Sequence, residues 1–298
     1  MSSEPTPLSI SVVIPVYRGE DTLPSLLAEL APYTADQVSP AGRRFRVAEV
    51  LLVWDRGPGR SDEVIRQLSR THDWVRPIWL SRNFGQHAAT LAGMTSSGGD
   101  WIVTMDEDGQ QDPAFIGAML DEAYAQGAQL VYASPTNPPP HSRLRNAGSR
   151  TAKRIFVSML ADQEFEEFNS YRLVLGEVGR SVAAYTGTGV YLDVALSWVV
   201  ANVSTCPVVS RSEGRPPGNY SYRRLFSHFG RLVISSGTKP LIFVSFIGVA
   251  FVLLGGLAAL WVAWGRFVGN LPINGWASMF VALLVVGGAV MPPLGIIA

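Results

Sequence analysis

From Leu241 to Trp264 the chain runs 24 residues without a charged side chain. At about 1.5 Å per residue a helix of that length spans roughly 36 Å, enough to cross a hydrocarbon core of about 30 Å. A second uncharged run extends from Trp276 to Ala298, after a short link holding Arg266, Asn270, Pro272 and Asn274. Trp261, Trp264 and Trp276 fall where an aromatic belt at a membrane interface is expected. A buried helical hairpin in a large soluble core is the alternative, but uncharged runs beyond about 18 residues seldom serve such cores.

Charge divides the chain in the same place. The 298 residues carry 24 basic and 24 acidic side chains, yet residues 239–298 hold only Lys239 and Arg266 and no acid. The expected organisation is a charged domain over 1–220, an interfacial helix over 221–238, and two spans (241–264 and 276–298) within 239–298. The second run ends at Ala298 without a polar flank, which leaves a truncation there open. Arg223, Arg224, Arg231 and Lys239 crowd the first entry against one basic residue in the link. That asymmetry predicts a multi-pass cell-membrane protein with its charged domain on the cytoplasmic side. The opening MSSEPTPLSI lacks the basic and apolar regions of a signal peptide, so export of the large domain is not expected. In Ser221–Ser236, Leu225, Phe226, Phe229, Leu232 and Val233 recur at helical spacing with arginines around them. A helix lying on anionic lipid headgroups is expected there.

Composition removes several classes. With 47% hydrophobic residues and balanced charge, neither a disordered tail nor a collagen-like repeat fits. The single Cys206 excludes a disulfide framework and a thiolate zinc cage and suits a reducing compartment. A net charge of zero argues against a nucleic-acid partner. The four histidines show no metal-ligand spacing, and there is no GKS or GKT phosphate loop.

Before residue 135 the pattern alternates. Strands are expected at Ile10–Ile14 (ended by Pro15), Val47–Trp54, Val75–Leu80, Trp101–Met105 and Gln129–Ala133. Helices are expected at Thr22–Leu30, Ser61–Ser69, Gly85–Thr95 and Pro113–Ala125. Such alternation implies an α/β fold with a parallel, doubly wound sheet covered by helices on both faces. Ligands of such sheets bind beyond the carboxyl ends of the strands, here the loops after Ile14, Val53, Leu80 and Met105. Thr136–Arg143 is a proline-rich loop. His141–Arg154 carries five basic residues and no acid, suited to lipid headgroups, to guiding an anionic acceptor, or to a solvated helix face.

The fourth strand delivers Asp106-Glu107-Asp108, then Gly109-Gln110-Gln111-Asp112-Pro113. Carboxylates crowded at a strand end repel one another unless a cation neutralises them. Two acids at i and i+2 suit Mg²⁺ or Mn²⁺, which take one or two carboxylates and complete their shell with phosphate oxygens. A solvated acidic turn is the competing reading.

SVVIPVYRGEDTL (Ser11–Leu23), SRNFGQHAATLAGM (Ser81–Met94) and GDWIVTMDEDGQQDP (Gly99–Pro113) resemble family 2 glycosyltransferases. Together with the C-terminal spans they resemble the polyisoprenyl-phosphate group, which includes dolichyl-phosphate mannose synthase and bacterial undecaprenyl-phosphate glycosyltransferases. The resemblance implies a GT-A fold, a nucleotide-sugar donor, a polyprenyl phosphate acceptor, a divalent metal and inversion at the anomeric carbon. It implies that Pro15, Val16 and Tyr17 line the nucleobase pocket and that Asp55 accepts hydrogen bonds from base or ribose. Asp106 and Asp108 match the motif that holds metal and diphosphate, Asp112 the acid that follows it, and Arg82 and Asn83 lie beside the donor. Arg172, Arg211, Arg215 and Ser221 would meet the acceptor phosphate, with Gly218 in the same pattern. Asp108, Arg215 and Asp193, an acid on a helix near the acceptor, are the catalytic candidates. Membrane lipids are implied neighbours, and a homo-oligomer is left open.

The chain departs from the family's pattern in three places. Trp54-Asp55-Arg56-Gly57 stands where Asp-Asp-Gly-Ser is usual, Asn169-Ser170 stands where Gly-Asp is usual, and Arg215-Pro-Pro-Gly-Asn-Tyr-Ser holds one extra residue. A processive polysaccharide synthase would carry a QxxRW motif, but the last glutamine is Gln163. A non-catalytic membrane scaffold that keeps the fold is the reading from another class; the retained Asp106, Asp108, Arg82 and Asn83 speak against it.

Overall fold

A computed structural model describes residues 6–136, 169–187, 190–209, 211, 239–268 and 276–297. The interfacial helix expected at Ser221–Ser236, the basic stretch His141–Arg154, most of the proline-rich loop, and Arg215, Gly218 and Ser221 lie outside these residues. The chain separates into two compact units, Met1–Leu225 and Phe226–Ala298.

The first unit is built on a sheet. Strand β1 (Leu8–Val16) lies between β3 (Arg44–Trp54) and β5 (Trp101–Thr104), parallel to both. Strand β4 (Val75–Trp79) extends β3 in parallel, while the two-residue β2 (Gln37–Val38) pairs with its start in antiparallel sense. Beyond β5 come β7 (Arg172–Leu175), β6 (Leu130–Pro135) and β8 (Val203–Val208). Apolar side chains leave β1 on both faces: Ile10, Val12, Ile14 and Val16 enter one core and Val13 the other. A strand buried on both sides reads as a near-continuous apolar run. Helices α1 (Leu23–Leu30), α2 (Ser61–Thr71) and α4 (Ile116–Gln126) cover the first face. Helices α3 (Gln86–Ser96), α5 (Gly176–Tyr185) and α6 (Leu192–Val199) cover the second.

Two expectations change. The sheet is mixed, not parallel throughout: β7 inserts between β5 and β6 and runs antiparallel to both. Strand β6 ends, and β7 starts, at the edge where β5 ends, so β7 can only run back. Strand β1 also continues through Pro15 to Val16. Its ladder with β5 stops at Val13 paired with Thr104, so Pro15 has a neighbour strand on one side only, where a missing N–H is tolerated.

Arg172 and Asp193, expected near the acceptor, are 3% and 2% exposed and form a buried ion pair. The Arg172 Nε also donates to Thr104 Oγ1 at 3.2 Å, and the Tyr132 hydroxyl donates to Asp193 Oδ1 at 2.8 Å. Burial works against the guanidinium charge, but Asp193, Tyr132, Tyr191 and Asp106 together more than offset it, so Arg172 stays protonated. Burial, together with Asp193, pushes the Tyr132 phenol well above its usual range. The pair ties the first turn of α6 to the middle of the sheet.

The second unit contains α7 (Lys239–Val268) and α8 (Trp276–Ile297), packed against each other. Within α7, Ser245–Gly265 is long and apolar enough to cross a membrane, and Leu257, Leu260 and Trp261 face outward. The expected second span is helical, but its described apolar stretch, Met279–Met291, is shorter than the roughly 20 residues a crossing takes. Glycines set the helix separation: a Cβ on Gly288 would stand 2.7 Å from the Gly248 carbonyl oxygen and 2.8 Å from the Val252 nitrogen. Small residues allow such close backbone approach between helices.

Two stability outcomes follow from these contacts. Asp193→Ala strands a buried guanidinium, and the full-length protein in detergent should lose about 3–5 kcal/mol in its unfolding transition. Gly288→Leu should destabilise the α7–α8 hairpin by about 1–3 kcal/mol, read from its helical unfolding in micelles. Gly287→Ala is the control, because a Cβ there meets nothing within 4 Å.

Candidate active site at the carboxyl edge of the sheet

Strands β1, β3 and β5 end side by side, and the loops that follow them interlock. The Asp55 amide donates to Val16 O at 2.8 Å, carrying the ladder one step past the strands. A Cβ on Gly57 would fall 1.6 Å from the Tyr17 carbonyl oxygen, so only glycine lets the loop after β3 cross the loop after β1. Arg56, just before it, takes φ of 47°, a backbone region costly for a side-chain-bearing residue. Glu107 holds the first loop from the other side, accepting from Tyr17 N at 3.0 Å and from Arg18 N at 2.9 and 3.1 Å. The residue between the two candidate metal-binding acids is therefore a backbone clamp. No periodicity in the sequence signals that role.

Asp55 has a similar duty. Only 4% exposed, it accepts from Phe84 N at 2.7 Å and Gly85 N at 2.9 Å, the amides that open α3. Burial raises its pKa, while the two amides favour the ionised form. An acid that was expected to meet base or ribose is here holding the SRNFG loop. Arg82 and Asn83 are exposed on that loop, with the Arg82 guanidinium 4.7 Å from the Phe84 ring centre. Tyr17 is 39% exposed at the same edge; Val16 is fully buried in the core and Pro15 half-buried.

Asp106 follows β5 and is surrounded by polar side chains. Its Oδ1 accepts from Gln86 Nε2 at 2.5 Å, and its Oδ2 from Ser170 Oγ at 2.5 Å and Gln111 Nε2 at 3.0 Å. Burial, and then the charge of Asp108, push its pKa up to about 6 against the pull of the Ser170 hydrogen bond. Gly109 turns the chain with φ of 74°, and exposed Asp108 accepts from Gln110 N at 3.0 Å. Asp112 instead starts a short helical turn at Pro113–Phe115, accepting from Ala114 N at 2.9 Å. It also takes Arg211 Nη2 at 2.9 Å.

Arg211 thus sits against the acidic loop. Its amide donates to Gln110 O at 3.0 Å, and its other guanidinium nitrogen meets Glu29 at 2.5 Å. A cavity of about 300 Å³ lined by Glu29, Tyr33, Gln37, Asp112 and Arg211 adjoins it on the α1 side. His87 packs on Tyr191 with ring centres 3.9 Å apart. Among the described residues no three His, Cys, Asp or Glu cluster as a complete cage for a metal. Two acids whose mutual repulsion raises one pKa do fit a divalent ion that takes the rest of its ligands from phosphate. Tyr17, Asp55, Arg82, Asn83, Asp106 and Asp108 thus share the carboxyl edge, with Arg211 beside them; Arg172 and Asp193 lie inside. Gln86, Gln111, Ser170 and Glu107 are the contributors that sequence reasoning missed.

Known proteins are similar to this chain along most of its length. The chain is 29% identical over 302 residues to an undecaprenyl-phosphate 4-deoxy-4-formamido-L-arabinose transferase of Pseudomonas paraeruginosa, covering 99% of this chain and 85% of that one. It is 23% identical over 290 residues to a bactoprenol glucosyl transferase of Shigella phage SfX, covering 97% and 92%. Among solved structures, glucosyl-3-phosphoglycerate synthase from Mycobacterium tuberculosis in complex with uridine-diphosphate aligns with a TM-score of 0.53 at 16% identity, over 77% of this chain and 80% of that one. S. aureus TarS 1-349 aligns with a TM-score of 0.51 at 11% identity, over 96% and 81%. These likenesses support the GT-A-like α/β fold. Residues 11–185, more than half of the chain and the whole of the edge just described, match the pattern of Glycosyl transferase family 2, and the chain belongs to that family.

Proposed function

We propose that this glycosyltransferase moves one sugar from a nucleotide-sugar donor to a polyprenyl phosphate of the undecaprenyl type at the cytoplasmic membrane face, with inversion. The observation that carries the reading is the pair Asp106 and Asp108 at the carboxyl end of β5, in a chain whose relatives are named for undecaprenyl-phosphate and bactoprenol transfer. Exposed Tyr17 offers a ring for a nucleobase, and Arg82 and Asn83 offer donors beside it.

Asp106 and Asp108 would hold a divalent ion, Mg²⁺ or Mn²⁺. When bound, that ion supplies Lewis-acid neutralisation of the nucleoside diphosphate as it leaves. A phosphate oxygen of the acceptor attacks the anomeric carbon, the carbon–oxygen bond to the diphosphate breaks, and the bonding pair leaves with the diphosphate. A phosphate monoester has its second pKa near about 6 and is already largely ionised at neutral pH, so no strong general base is required. Orientation and fixed charge then do most of the catalysis. Arg215 and Ser221, by their sequence pattern, are assigned to the acceptor phosphate. Arg211 joins them only by releasing Glu29 and Asp112. Asp193 acts as the partner that keeps Arg172 in place. The long apolar Ser245–Gly265 helix supports a membrane anchor, with the second run, 276–298, as the returning span.

Asp108→Asn should reduce sugar transfer to lipid by about a hundred- to a thousandfold while the protein still folds and inserts, and chelation of the wild type should lower it at least as far. Radiolabelled product recovered in the lipid phase measures both. Full turnover in chelator would remove the metal from the reading.

Orientation has its own check. A cysteine introduced at Asn270 should react with an impermeant thiol reagent added to whole cells, and one at Ser2 should not. The reverse pattern would place donor chemistry on the wrong side of the membrane.

A further inference from the structure

We infer that Gln86, Gln111 and Ser170 are positioning residues that lock the Asp106 carboxylate into a single orientation for cation binding. The inference rests on the reading of Asp106 and Asp108 as the metal–diphosphate site. It adds three residues from separate parts of the chain: the start of α3, the acidic loop, and the lead into β7.

Gln111 grips residue 106 at two points. Its Oε1 accepts from the Asp106 amide at 2.8 Å, while its Nε2 donates to Asp106 Oδ2 at 3.0 Å and to Ser170 Oγ at 2.9 Å. Ser170 passes the chain of donors on, giving its own proton to Asp106 Oδ2 at 2.5 Å. Its position is fixed from the sheet: the Thr104 hydroxyl, at the end of β5, donates to Ser170 O at 2.5 Å. Gln86 closes the opposite side, donating to Oδ1 from the first residue of α3. That residue is placed by Asp55, which holds the two amides preceding it.

A carboxylate offers about four acceptor directions. Three are taken, so a cation can approach Asp106 along one. The chemistry of the three donors matters as much as their number. All are neutral, so they orient the carboxylate without cancelling its charge, whereas a lysine or arginine would compete with the cation. The nearby Arg172 guanidinium is already committed to Asp193. Groups that orient a metal's ligands typically change its affinity by about 10–100-fold when removed.

The test uses the full-length protein in detergent, with Mn²⁺ alone as the probe and the electron paramagnetic resonance of free Mn²⁺ as the readout. Ser170→Ala, Gln111→Leu and Gln86→Leu should each raise the Mn²⁺ dissociation constant by about tenfold or more, and Ser170→Thr should restore it. In turnover, the half-saturating Mn²⁺ should rise with no change in the KM for lipid acceptor. Gln86 is exposed at a helix start, so its variant carries the test if Gln111→Leu does not fold. Folded variants that bind Mn²⁺ as the wild type does would overturn the inference and leave the metal reading standing. A wild type that binds no Mn²⁺ would overturn both.

Discussion

Like charges placed two residues apart at the end of a buried strand repel, and much of this structure is an answer to that repulsion. Asp106 and Asp108 leave β5 together, and the first bears the consequence, its pKa raised to about 6 by burial and by its neighbour. The acid between them is turned away and used up on the backbone of the β1 loop. The next acid, Asp112, is drawn off to a helical turn and to Arg211. Of the four carboxylates from Asp106 to Asp112, Glu107 is tied to the amides of Tyr17 and Arg18, and Asp112 to the Ala114 amide and Arg211.

The alternation of strands and helices was legible because burial writes itself into the sequence. Ile10, Val12, Val13 and Ile14 read as a strand from their apolar run, and the 24-residue uncharged run read as a long apolar helix. The direction of β7 was not legible. Arg172–Leu175 looks the same whether it runs up or down the sheet, since alternation has no polarity. Pro15 misled for a related reason: proline ends a ladder only on the side where its nitrogen would have donated, and one-dimensional reading cannot see sides.

The candidate site divides in the same way. Acids and the SRNFG stretch were visible because their residue types are costly without a purpose. Asp55 and Asp193 were visible too, but their partners were not. The letter of a carboxylate does not show which backbone amides it holds, and the 2.7 and 2.9 Å contacts of Asp55 with Phe84 and Gly85 are visible only in the fold. Gln86, Gln111 and Ser170 went unnoticed because neutral polar residues are common on loops. Their meaning comes from converging on one carboxylate across 20, 5 and 64 positions of sequence.

The reversed strand has a consequence for how such a site can vary. In a wholly parallel sheet, every residue at the carboxyl edge follows a strand, and each loop must both turn the chain and carry chemistry. Because β7 runs the other way, the residue at this edge precedes its strand, and Ser170 arrives from a segment with no turn of the acidic loop to build. One position next to Asp106 is thereby freed from the geometry of the motif beside it. A change of side chain there can alter the hydrogen bonding around Asp106 while the Asp106–Pro113 loop keeps its own turn.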